Sequence, residues 1–130
     1  MRRPDGLSEP LGRYSHVSVA RSSELISVAG QVGITAHGEL AGDGGLHAQT
    51  AQAFRNVMTA LASLDLGPRD IFKTSTLLVG DGNVDEFLRA RATVFEELFP
   101  PGEYPPNTLL VVSRLVEERF LVEVEAFAAR

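Results

Sequence analysis

The spacing of hydrophobic and polar positions changes several times along this chain. Residues 14–20 (YSHVSVA) alternate, with Val17 and Val19 on one side, which predicts a strand. LISVAGQVG (25–33) predicts a second strand, and the short SSE turn between them predicts a hairpin. From 46 to 64 the period lengthens. Leu46, Thr50, Ala53, Phe54, Val57, Met58, Leu61 and Leu64 recur at three and four residues, the stripe of an amphipathic helix. Gly67 and then Pro68 stand as its stop signals. IFKTSTLLVG (71–80) predicts a strand that ends in a Gly/Asp turn. Asn83 is placed to cap a second helix, with Glu86 three residues on as the partner in a capping box. That helix carries Val84, Phe87, Leu88, Val94, Phe95, Leu98 and Phe99 on its apolar stripe, and PPGEYPPN breaks it. TLLVVSRL (108–115) and FLVEVEAFA (120–128) predict two final strands joined by a charged turn.

This order of elements predicts an α+β fold, a sheet with both helices on one face. TLLVV has no polar residue at alternate positions, so it is expected to be buried on both faces. Two helices cover only one face of such a sheet. The other face therefore calls for a partner, and a homo-oligomer is expected. Residues 1–13, rich in Pro and Gly, are expected to form an irregular arm on a single domain spanning 1–130.

Charge narrows the function classes. The net charge is −5, and the one lysine and eleven arginines are scattered. Nucleic acid demands a basic face, so a nucleic-acid partner is not expected. Cysteine is absent, which leaves no disulfide or thiolate chemistry. The first residues have arginines but no apolar core of a secretory signal, and no apolar run is long enough to span a bilayer. No membrane partner and a cytoplasmic location are the resulting expectations.

A few residues do not fit a bland domain. Arg91 falls on the apolar stripe of the second helix, between 84, 87, 88 and 94, 95, 98. A charge there costs several kcal/mol unless it is paired or faces a wet cleft. It is either a structural arginine, snorkelling or ion-paired, or an anion-binding residue in a cleft. Glu123 and Glu125 share one side of the last strand, about 7 Å apart from the strand rise. They read as ion-pair partners for Arg114 or Arg91, as solvated side chains, or as a general acid or base. His16, His37 and His47 show no metal-ligand spacing, so no metal site is expected. No GxSxG nucleophile elbow is present.

Three stretches together carry a family resemblance: GRYSH followed by ISVAGQVG, then NVMTALASLDLGPRDIFKTSTLLVGD, then RLVEERFLVEVEAFA. They resemble the Rid family, the reactive-intermediate deaminases also called YjgF or endoribonuclease L-PSP proteins, over roughly residues 10–130. The resemblance implies a fold like trimeric chorismate mutase, a homotrimer, and ligand clefts between neighbouring subunits. It implies a cofactor-free hydrolase that turns small imines or enamines into keto acids and ammonia. In that family an arginine clamps the substrate carboxylate, a glutamate on the last strand handles water, and a tyrosine and a serine complete the site.

Carried over residue by residue, the tyrosine is Tyr14 and the glutamate is Glu123. The serine position, beside Gly30 in the Gly-Gln step, is Ala29. The arginine position, after the proline step at 104–107, is Asn107, and the family's cysteine two residues on is Leu109. A neutral amide cannot replace a charged bidentate clamp worth roughly 1.5–3 kcal/mol per charged hydrogen bond. Arg91 is the candidate to supply the displaced charge, with Asn107 orienting another part of the ligand. The alternative to a hydrolase is a trimeric protein that binds a small carboxylate without turning it over. Ribonuclease activity, suggested by one family name, is disfavoured by the acidic charge.

Overall fold

The computed structural model describes Arg2 and residues 4–130. Four strands form one mixed sheet: β1 (Leu25–Val32), β2 (Ile71–Val79), β3 (Asn107–Val112) and β4 (Val122–Ala129). Two helices, α1 (Leu46–Ala62) and α2 (Val84–Leu98), complete the α+β fold. The strand order is β1-β4-β2-β3. β4 runs antiparallel to both β1 and β2, whereas β2 and β3 are parallel. A parallel pair needs a crossover, and α2 supplies it.

Alternation along β4 decides which face is covered. Val122, Val124, Ala126 and Ala128 are buried against the helices with Phe54, Val57 and Leu61 of α1 and Phe87 and Phe95 of α2. Glu123, Glu125 and Phe127 point the other way and are half-buried. Both helices thus lie on one face, and the opposite face is bare in the single chain.

Several expectations are corrected. Residues 14–20 form no strand and no hairpin with β1. The segment is extended, bridged only by Val17 to Arg2, and Val19 is 61% exposed. Alternating valines mark extended chain, but nothing buries these two. Ser15 Oγ instead donates to the Tyr104 carbonyl at 2.6 Å, and Ser18 Oγ donates to the Phe72 carbonyl. Side-chain hydroxyls thus tie down the extended segment, and β1 pairs with β4.

The last two strands are not neighbours either, because β2 lies between them. β3 is an edge strand, with Leu110 53% exposed. Its unbroken apolar run signals apolar demand on both faces, but sequence does not say whether the same chain meets that demand.

Helix ends also differ from expectation. α1 stops at Ala62, and the left-handed residue that ends it is Asp65, with φ of 58°, not Gly67. Leu66 N–H donates to the Leu61 carbonyl at 3.1 Å, the long return bond of a Schellman ending. Asn83 precedes α2 without capping it. Its Nδ2 donates back to the Val79 carbonyl at 2.8 Å, so the capping box with Glu86 is not formed.

Candidate functional site

The apolar stripe of α2 packs an aromatic cluster beneath the chain segment that leads into β3. Phe95 is at its centre, edge-on to Phe54 and Phe99 and stacked on Tyr104 at 5.7 Å between ring centroids. Arg91 lies one turn earlier on the same stripe and is 4% exposed. Its guanidinium carbon sits 5.6 Å from the Phe87 ring centroid and 5.3 Å from that of Phe95. Aromatic faces offer a cation some compensation, but far less than an anion does.

Among the described residues no carboxylate pairs with Arg91, and its Nε is sealed from water with no acceptor. Burial pushes its pKa below the ordinary arginine value, and the neighbouring Arg13 charge pushes in the same direction. Arg13 has its own partners, Glu96 at 2.7 Å and the Ala92 carbonyl. Arg91 is therefore neither snorkelling nor ion-paired.

A cavity of about 450 Å³ lies between α2, the start of β3 and the arm, with Arg91, Asn107, Tyr14, Leu88 and Leu109 among its walls. The arm comes close: a β-carbon at Gly12 would lie 3.3 Å from Arg91 Nη2. The Tyr14 hydroxyl accepts the Leu11 N–H at 3.3 Å and so holds the arm's own turn. Asn107 begins β3 and is pinned through Oδ1, which accepts from Thr74 Oγ1 at 3.0 Å and Thr76 Oγ1 at 3.1 Å.

Glu123 is on the other side of the sheet. It sits opposite Leu77 of β2 and Val32 of β1, over the irregularity between Val28 and Gln31. A β-carbon at Gly30 would fall 1.9 Å from Glu123 Oε1, so a larger residue there would displace the Glu123 side chain from its present position. Ala29, in the same irregularity, is exposed. Arg114 reaches Glu118 and two backbone carbonyls, so neither Arg114 nor Arg91 pairs with Glu123 or Glu125.

One chain thus gathers Tyr14, Arg91 and Asn107 around one cavity, and Gly30 and Glu123 on the opposite face. The sequence reading missed two participants, Thr74 and Thr76. Polar residues at alternate positions on the buried side of β2 were the available signal.

Comparison with known proteins agrees with this architecture. Residues 6–130 match the model of the Endoribonuclease L-PSP family. The chain belongs to that family, which includes the YjgF and Rid proteins. An uncharacterized protein of Streptomyces coelicolor is 34% identical over 91 residues, 70% of this chain and 64% of that protein. This chain therefore spans less than two thirds of that relative.

The crystal structure of YyfB from Yersinia pestis, a Rid-family protein of unknown function, superposes with a TM-score of 0.84 at 28% identity, covering 99% of this chain and 96% of that one. E. coli TdcF, solved with bound serine, shares the fold with a TM-score of 0.72 at 22% identity, over 93% and 91% of the two chains. Among the described residues no helix is long and apolar enough to cross a membrane.

Proposed function

We propose that this protein takes a small carboxylate metabolite in the α2/β3 cavity, with Arg91 as the cation that receives it. The observation that carries this is the guanidinium of a residue 4% exposed, without an anionic partner among the described residues, on the wall of a cavity. Burying an uncompensated charge costs several kcal/mol, and a ligand carboxylate offsets that cost through charge-assisted hydrogen bonds. Bound serine in TdcF is a small carboxylate held on the same fold.

The reaction that fits family membership is cofactor-free hydrolysis of an imine or enamine. Water adds to the C=N carbon, ammonia leaves, and a keto acid remains. Glu123 is the base that takes the proton from water, and Tyr14 lines the cleft. Glu123 lies on the wrong face to act on a ligand in its own chain's cavity. The proposal therefore includes a homotrimer in which the bare sheet faces of three copies pack together and Glu123 of a neighbouring copy reaches the cleft. A second reading, binding without turnover, draws on that same separation and on Ala29, which supplies no hydroxyl.

Ammonia release from freshly generated 2-iminobutyrate, made in place by a threonine dehydratase, tests the two. Hydrolysis requires acceleration that is lost in both Arg91→Ala and Glu123→Gln. No acceleration, with carboxylate binding that still depends on Arg91, leaves the binding protein.

A further inference from the structure

The arm that covers Arg91 is folded on itself. His16 Nε2 donates to the Ser8 carbonyl at 2.8 Å, the Tyr14 N–H donates to the Gly12 carbonyl at 3.0 Å, and the Leu11 N–H donates to the Tyr14 hydroxyl. Its apolar side chains do not anchor it to the body, since Leu7 is 54% exposed and Leu11 93%. Arg13 joins it to α2. That guanidinium donates to the Ala92 carbonyl at 3.0 Å and to Glu96 at 2.7 Å. Ser15 fixes the far end through the Tyr104 carbonyl.

Beneath the arm lies a charge that resists cover. Gly12 is so close to Arg91 that a β-carbon would lie 3.3 Å from Nη2, and Leu11, Gly12 and Tyr14 join Arg91 in the cavity wall. The same arrangement brings the Arg13 guanidinium near enough to oppose the Arg91 charge. Covering an unneutralised guanidinium is costly, and so is the approach of a like charge. An anion beside Arg91 reduces both costs. Closing the arm and binding the anion are then parts of one equilibrium, and each favours the other.

We infer that residues 8–13 are a lid over the cavity, latched to α2 by Arg13, and that an anion on Arg91 draws the lid shut. This rests on the reading of Arg91 as the anion site. Without an anion the arm lifts and lets water reach the guanidinium. With one, it stays down.

Arg13 is also the reporter. Trypsin can cut after Arg13 only when this side chain leaves Ala92 and Glu96. The rate of that single cut in the full-length protein, followed by mass spectrometry, therefore tracks the open population. The probe is propionate, with propionamide as its uncharged counterpart. Saturating propionate is expected to slow the cut at least about fivefold, and propionamide to leave it unchanged. Arg91→Met removes the charge that resists cover. It is expected to slow the cut by a similar factor with no probe present, and to abolish the response to propionate. Glu96→Gln weakens the latch and leaves the cavity wall whole, and is expected to speed the cut about twofold.

Calorimetry reads propionate binding independently of the arm. Propionate that binds while the cut keeps its rate overturns the lid and leaves Arg91 as an anion site in a fixed wall. A cut in Arg91→Met as fast as in the native protein overturns the buried charge as the cause of opening. Propionate that does not bind removes the anion reading of Arg91 and, with it, the closure that reading drives.

Discussion

On the helix-covered face, the edge of β3 meets α2 around a buried cation with no carboxylate partner among the described residues. On the bare face, β4 holds Glu123 over a glycine that leaves room for its carboxylate. The first region is built from buried parts: aromatic rings under Arg91, threonines behind Asn107, and a leucine-lined wall. The second is half-exposed, and its carboxylates have no cationic partner among the described residues. A protein that isolates a cation on one side and a carboxylate on the other loses the ion pair they could form. It keeps both charges unpaired for something else to meet.

The largest expected effect falls on the covered face. Phe95→Ala removes the ring that touches Phe54, Phe99 and Tyr104 and lies beneath Arg91. A loss of about 3–5 kcal/mol is expected from cavity formation, read from urea unfolding. A loss below about 1 kcal/mol would show that this face is far looser than its packing.

Arg91→Met separates function from stability within the same region. Replacing an uncompensated buried charge by an apolar chain of similar length is expected to stabilise the unliganded protein by about 1–2 kcal/mol. Carboxylate binding is lost at the same time. A fall in the calorimetric melting temperature would mean that the guanidinium has a structural anion after all.

Leu110→Glu probes the bare side. Leu110 is on the open face of the edge strand, level with Leu77 of β2. If copies pack there, a carboxylate at this position is expected to shift the protein to monomer in sedimentation while leaving its fold intact by circular dichroism. An unchanged assembly would place the contact elsewhere. The smallest effect is expected from Arg13→Ala. Its bond to Glu96 is partly exposed, and such pairs contribute little to stability. Removing that neighbouring positive charge should also weaken carboxylate binding slightly, by less than about threefold in titration, because a cation near the site attracts the anion.

Much of the fold was legible because its signals are periodic and local. The 46–64 stripe, the β2 run and the α2 stripe each name their element and their buried side. Residues 14–20 misled because an alternating pair of valines describes extended chain, not a ladder partner. The capping box misled for a similar reason: Asn83 finds the Val79 carbonyl, a partner its spacing to Glu86 does not reveal. Within the candidate site, Arg91 announced itself as a charge on an apolar stripe. The threonines that orient Asn107 were silent, since two hydroxyls in a strand look the same whether they face water or an amide.

The sequence by itself determined the two helices and four of the strands, the family, and the oddity of Arg91, because periodicity, motif and a misplaced charge are properties of neighbours along the chain. Tertiary structure alone decided that β4 lies between β1 and β2, that β3 is an edge, and that Glu123 and Arg91 stand on opposite faces of one sheet. Strand order and facing depend on contacts between residues far apart in the chain, and a hydrophobic pattern records only that a position wants cover, never what covers it.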